Sequence, residues 1–359
     1  MAKTFKSLLG DDVVNTRTLL HEAIPITGTI SSGTYSDGNV KTFSHGMFES
    51  VYDYPFLSSS ANHIFDVTYG INSAMSSSSN TQNAKKLNIY NQMAQVLMGY
   101  NVSGNIRNFD SDGNLNDDGA GTMNQCFFMN FSRLLVKDEI KKNSFRLGLH
   151  TSGTVKHDGT GRLALKTLGD YNSANQFRTS PAGDYGLVFT ASASPGESYA
   201  SGSSVGLIFY QAGVVVLTSS LFLGDFGVPG NVLTEVGVGA PATVRNGVQR
   251  SMVSSSIETI ADGFRHQLFD VDFNNTIELN SAIYFCRVNH NEFNYSSNPT
   301  YVSGSKLRVK NNVNDLPISY ITTVGLYSPD NELLAVAKLS EPIRKDPNTE
   351  LTLRVRLDY

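Results

Sequence analysis

The chain contains no tryptophan, only two cysteines among its 359 residues, and few charges: 17% against roughly 25% in ordinary soluble domains. Each shortage excludes something. Cys126 and Cys286 lie far apart, with no Cys-x-x-Cys and no clustered histidine, so they form neither a disulfide framework nor a zinc site and read as small apolar residues. A net charge of -4 provides no basic stripe to displace counterions from a nucleic acid, so no nucleic-acid partner is expected. There is no Gly-x-x-x-x-Gly-Lys phosphate loop and no His-Glu-x-x-His. Long apolar runs are missing too. The one stretch of membrane length, Val205 to Leu223, carries Gln211, Gly213, Thr218, Ser219 and Ser220 and reads as strand, turn, strand, so no membrane partner is expected. Residues 1–20 mix Lys3, Lys6, Asp11, Asp12 and Arg17 with apolar side chains, unlike a signal peptide.

Serine, asparagine, threonine and glycine fill the gap left by charge. An uncharged polar surface suits subunit contacts, because burying a hydroxyl or amide costs far less than burying a charge. The length exceeds one ordinary domain and predicts two or three domains or one elongated assembly protein.

The apolar pattern predicts a mainly β chain with short helices (α+β): β-sandwich-like layers behind an N-terminal helical arm. Residues 1–42 read as the arm, an amphipathic helix over Phe5 to Ala23, and a Gly- and Ser-rich linker. Residues 43–142 read as a mixed α/β region whose clearest element is a helix from Asn83 to Met98 with Gly99 as C-cap. A β-rich domain covers 143–253, with strands over Phe145–His150, Leu163–Leu168, Gly186–Ala191, Gly206–Leu217 and Ser220–Phe226. In the sandwich-like domain 254–359, Ser255-Ser256-Ile257-Glu258 caps a short helix. There Ala282, Tyr284, Cys286 and Val288 alternate with Ile283, Phe285 and Arg287, which predicts a strand central to its sheet or at a subunit contact. Ile318–Leu326 and Glu332–Leu339 predict a hairpin turning at Tyr327-Ser328-Pro329-Asp330-Asn331, and Leu351 to Tyr359 alternates as a half-buried strand.

Chemistry is sparse. Asn108, Asp110 and Asp112, followed by Gly113 and Leu115, have the alternating oxygens of a calcium loop, but Gly119 stands where the bidentate glutamate belongs and Asp117 or Asp118 would have to substitute. A solvated acidic turn is the preferred reading, and no cofactor other than that calcium is suggested. Asp270, Asp272 and Asn274 repeat the alternation without the glycine. Lys137 to Lys142 reads as a solvated charged face. Gly202-Ser203-Ser204-Val205-Gly206 matches Gly-x-Ser-x-Gly, yet a β-prone run follows where a nucleophile elbow needs a helix. Gly237, Gly239 and Ala242 match a dinucleotide fingerprint only loosely. The pairs His63 with Asp66 and His290 with Glu292, and the carboxylates Glu49 with Asp53, lack any sign of an enclosing pocket. No catalytic residue is assigned.

The last quarter of the chain resembles a known family. Phe293-Asn294-Tyr295-Ser296-Ser297-Asn298-Pro299-Thr300-Tyr301, Tyr320 to Tyr327, Glu332 to Leu339 and the closing Arg354-Val355-Arg356-Leu357-Asp358-Tyr359 are similar to virion structural proteins of large, contractile-tail bacteriophages. A fainter likeness runs through Phe48 to Asp53 and Ala61 to Gly70. The resemblance implies a structural, non-enzymatic virion subunit assembled in the host cytoplasm, in the tail or baseplate, or alternatively the neck, collar or capsid. Its partners would be copies of itself in a homo-oligomer and other tail, baseplate or neck proteins. A glycan-binding β-sandwich is the competing class, and the missing tryptophan weighs against it.

Overall fold

A computed structural model describes residues 5–21, 37–75, 81–113, 121–152, 163–191, 204–222, 226–228, 231–233, 248–296, 302–303, 306–307 and 312–359. In chain order, strands β1 (Val13–His21), β2 (Val40–Lys41), β3 (Glu49–Tyr52) and β4 (His63–Ile71) precede helix α1 (Thr81–Leu97). Then follow β5 (Gln125–Phe131), the one-turn α2 (Arg133–Val136), β6 (Glu139–Ile140), β7 (Arg146–Ser152), β8 (Leu163–Gly169), β9 (Arg178–Ser180) and β10 (Gly183–Thr190). Next come β11 (Ser204–Phe209), β12 (Val214–Thr218), β13 (Phe226–Val228), β14 (Asn231–Leu233), α3 (Val248–Ser254) and α4 (Ile257–Gln267). The remaining strands are β15 (Leu268–Asp272), β16 (Asn275–Val288), β17 (Val302–Ser303), β18 (Lys306–Leu307), β19 (Ser319–Tyr327), β20 (Leu333–Lys345) and β21 (Leu351–Asp358). The fold is mainly β, as the pattern predicts.

Two units result, a larger one from Leu20 to Ile277 and a smaller one made of Met1–Leu19 and Glu278–Tyr359. The segments 43–142 and 143–253 are not separate domains, because β5 from the first and β12 from the second hydrogen-bond side by side. Nor do residues 254–359 stand apart, since α4 and β15 belong to the larger unit.

The larger unit is built on one antiparallel sheet of eleven strands in the order β15-β7-β8-β10-β11-β12-β5-β4-β3-β2, with β9 beside β10. Its interior strand β5 is buried on both faces, which is why Cys126-Phe127-Phe128-Met129 reads as a continuous apolar run. Phe127, Met129 and Phe131 enter one core, where Phe127 stacks at 4.8 Å on Phe264 of α4. Cys126 and Phe128 enter the other, with Tyr90 of α1 and Phe109. Helix α1 lies close over β4 at Gly70, where a Cβ would sit 2.9 Å from the Tyr90 nitrogen.

Local signals place these helices. Gly99 ends α1 with a left-handed φ of 75°, as the C-cap reading requires. The cap of α4 is Ser256, whose Oγ accepts from the Thr259 N–H at 3.1 Å, so the expected Ser255–Glu258 box is displaced by one residue. The expected hairpin over Leu207–Leu217 forms as β11 and β12, whereas Ser219–Leu221 is a 3-10 turn rather than the start of a strand.

In the smaller unit, the N-terminal helical arm is not observed: Gly10–Asp12 is a 3-10 turn and Val13–His21 is β1. Val13, Val14, Thr16 and Thr18 are β-branched, and a neighbouring strand overrides the weaker 3.6-residue spacing. Strand β16 lies between β1 and β21, as its two apolar faces predict. In the β16–β21 register, Ala282, Tyr284, Cys286 and Val288 pair with Leu357, Val355, Leu353 and Leu351. The opposite face sets Ile283 against Arg356, Phe285 against Arg354 and Arg287 against Thr352. Strands β19 and β20 form a separate two-stranded hairpin with bulges.

Candidate functional site

The structure places the side chains considered for catalysis as follows. His63 and Asp66 do meet, at 2.8 Å, and Ser50 Oγ donates to the same Asp66 oxygen at 2.5 Å. The serine proton therefore faces a carboxylate and not an imidazole base, so the trio lacks the order of a nucleophilic triad. The hydrogen bond to Asp66 holds the His63 pKa above its ordinary value. His290 does not pair with Glu292. Its Nδ1 lies 3.2 Å from Glu350, while Glu292 accepts from Lys6 at 2.6 Å. Glu49 and Asp53 share no helical face: Glu49 is buried in strand β3, and Asp53 accepts the Asn62 N–H at 2.6 Å.

Of the proposed calcium ligands, Asn108 is exposed, Asp110 is buried and bridges to Thr122, and Asp110 Oδ1 accepts the Asp112 N–H at 3.2 Å. The Arg178 guanidinium donates to the Asp112 carbonyl at 3.3 Å and lies beside Gly113. Asp117, Asp118 and Gly119 lie outside the described residues, as do Gly237, Gly239, Ala242, Gly202 and Ser203. Among the described residues no three His, Cys, Asp or Glu side chains converge. Ser204 opens β11 and its hydroxyl is given to the Ser111 carbonyl. The carboxyl of Asp270 is pushed up by burial and by Asp272, and lies against Gly148 in the neighbouring strand.

Two polar clusters escape the sequence reading. Asp170 is fully buried and accepts from the Asn143 and Phe145 N–H groups, Ser173 Oγ and the Tyr210 hydroxyl at 2.7–3.0 Å, with Arg146 at 3.3 Å. Burial pushes its carboxyl up while these donors pull it back. Only the turn composition of Gly169-Asp170-Tyr171-Asn172-Ser173 hinted at it. Beside it a cleft of ≈ 310 Å³ is lined by Asn172, Gln176, Phe177, Arg178 and Phe189. Lys142, expected on a solvated face, instead pairs with Asp184 at 2.6 Å and sits 3.8 Å over the Phe177 ring. The second cluster is Lys86, buried in α1, whose ammonium donates to the carbonyls of Met252 and Val253 at 2.8 Å and of Ser255 at 2.5 Å, closing the end of α3. Burial lowers its pKa to about 8. Both clusters fasten elements together.

A group of exposed apolar side chains lies in the smaller unit. Among its described residues, Ala282, Val288 and Val355 are the buried apolar side chains. By contrast, Tyr320, Tyr327, Leu333, Leu334 and Val336 of the hairpin are 46–68% exposed. Strands β19 and β20 pack chiefly on each other, with the Phe5 ring set edge-on to Tyr327 at 5.1 Å. The hairpin base is fixed: Lys345 is fully buried and donates to His290 O at 3.1 Å, Asn294 Oδ1 at 2.7 Å and Asp346 O at 2.8 Å, and Ser319 donates to Phe293 O. A two-stranded ribbon is marginal in water by itself, and this one leaves these five large apolar side chains exposed. Period-2 alternation alone did not disclose it, because a covered strand and an uncovered one share the same pattern.

No family model matches the chain, and neither the curated proteins nor the solved structures include a match to it.

Proposed function

We propose that this protein is a structural assembly subunit that works by burying the β16–β21 sheet and the β19–β20 hairpin of its smaller unit against neighbouring subunits. The observation that carries the reading is the uncovered apolar surface of a hairpin whose base is locked but whose strands have little beside them. A fully buried leucine or valine stabilises by about 1.5–3 kcal/mol relative to an exposed one, so covering Leu333, Leu334 and Val336 favours association. Taken with the likeness of residues 293–359 to virion proteins, we place the subunit in a tailed-bacteriophage particle, in the tail or baseplate, with neck, collar or capsid attachment as the nearby station. The role is mechanical, and no catalytic residue is proposed.

Mass spectrometry of purified particles, with this chain located in a map of the particle, tests the reading. The expected result is a fixed copy number in the mature particle with β19–β20 against a neighbour. Absence from particles, or turnover of a cell-wall substrate abolished by one acidic substitution, would overturn it.

A further inference from the structure

The proposed role leaves open what covers the hairpin. Its tip is a rigid turn: Ser328 N–H donates to Glu332 O at 2.9 Å, Asn331 N–H to Ser328 O at 3.0 Å, and Asn331 adopts a left-handed φ of 64°. The tip therefore presents its side chains without first having to order a loop. Asp330 and Glu332 are exposed there and have no ion-pair partner among the described residues, and the apolar Leu333 and Leu334 stand beside them, while Tyr327 carries the Phe5 ring at 5.1 Å.

A surface of matching character exists on the same chain. On one face of the β16–β21 sheet, Phe285 is paired in register with Arg354, and Ile283 with Arg356. Ile283 and Phe285 are half-buried while both arginines are exposed. Arg356 is engaged by Asp358 at 2.7 Å, and Arg287 by Asp12 at 2.8 Å. Arg354, between them, has no ion-pair partner among the described residues. One surface thus joins uncompensated anions to exposed leucines, and the other joins an uncompensated cation to half-exposed aromatic and aliphatic side chains. Opposite charges across such a contact fix register and speed encounter, while the apolar groups hold it.

We propose that the hairpin tip of one copy docks on the Phe285–Arg354 face of a second copy, with Asp330 or Glu332 meeting Arg354 and Leu333 and Leu334 covering Ile283 and Phe285. The two patches are different, so the contact is heterologous: each copy uses its tip on one neighbour and its sheet on another, and the copies close into a ring or continue as a filament. This inference rests on the assembly reading but is separable from it.

The test uses the full chain in two charge variants, Arg354→Glu and the double variant Asp330→Lys, Glu332→Lys, followed by sedimentation velocity and light scattering. Wild-type protein should form a concentration-dependent series of oligomers by about 100 µM, well above the Kd of a micromolar contact. Each variant alone should associate at least about tenfold more weakly, since it places like charges together. Mixed in equal amounts, the acidic tip of the Arg354→Glu chain meets Arg354 of the double variant, and the basic tip of the double variant meets the reversed charge at 354, so the mixture should recover association toward the wild-type series. Circular dichroism unchanged from wild type establishes that the variants are folded. Wild-type protein that stays monomeric, variants that oligomerise as wild type does, or a mixture that associates no more strongly than either variant alone would each overturn the docking proposal. Presence of the chain in particles would in those cases still support the structural role, with a different protein covering the hairpin.

Discussion

The two units of this chain treat their apolar residues differently. In the larger one, β5 sends Phe127 toward α4 and Phe128 toward Tyr90 of α1 and Phe109, so both faces of the sheet are covered by parts of the same unit. In the smaller one, β16 and β21 pair over eight positions, yet of those side chains Ala282, Val288 and Val355 are the apolar ones that become buried. The sequence patterns are alike in kind, with apolar and polar residues alternating along both. The difference lies in whether helices are available to cover a face: the larger unit folds around itself, while the smaller one leaves large apolar side chains exposed.

The largest break in that comparison should come from paired substitutions. Phe127→Ala removes a ring packed against Phe222, Phe226 and Phe264 and should cost about 3–5 kcal/mol in chemical denaturation. Leu334→Ser, on the exposed hairpin, should leave the stability of the dilute chain within about 0.5 kcal/mol while weakening self-association. Equal stability losses from the two would remove the distinction between the units.

A smaller effect is expected at Lys86. Lys86→Met fills similar space but strips a donor from three carbonyls at the end of α3, at a cost of roughly 1–3 kcal/mol for the acceptors left buried. The loss should appear in urea melts, with hydrogen exchange accelerated in α3 before α1. Removing the α4 cap by Ser256→Ala should cost about 1 kcal/mol, measured the same way.

The smallest effect concerns pH. His63 has a raised pKa in the folded chain through its hydrogen bond to Asp66, so its stabilising contribution is complete below the unfolded value of about 6.5 and fades as pH rises through the folded one. Stability measured from pH 6 to pH 8 should therefore slope downward slightly in the wild type and less in His63→Gln. An identical slope in both would show that the imidazole contributes nothing.

How far these features were legible follows from how local their causes are. Helix α1 with Gly99, the β11–β12 hairpin, the turn at Pro329 to Asn331 and the central place of β16 follow from short-range rules of capping, turn chemistry and alternation. The arm from Phe5 to Ala23 misled because its apolar spacing suits a helix, while pairing in a sheet with β16, remote in sequence, makes residues 13–21 a strand. The joining of residues 43–142 with 143–253 was equally hidden, since strand partners such as Phe128 and Val216 are far apart along the chain. Asp170 and Lys86 were missed for the same reason: the donors around Asp170 come from the 143–146 turn and Tyr210, and the carbonyls around Lys86 from α3. The turn Ser328 to Asn331 reads as an exposed, partner-facing tip, but the exposure of the strands behind it could not be read, because alternation reports which face is apolar and says nothing of what covers it.

The central claim, that the smaller unit completes its packing only against another subunit, is tested most directly by hydrogen exchange at increasing protein concentration. The account predicts that amides of β19, β20 and β21 gain protection as the chain associates, while those of β4 and β5 are already protected in dilute protein and do not change. Protection of the hairpin equal to that of β5 at the lowest concentration, and unaltered at the highest, would contradict it.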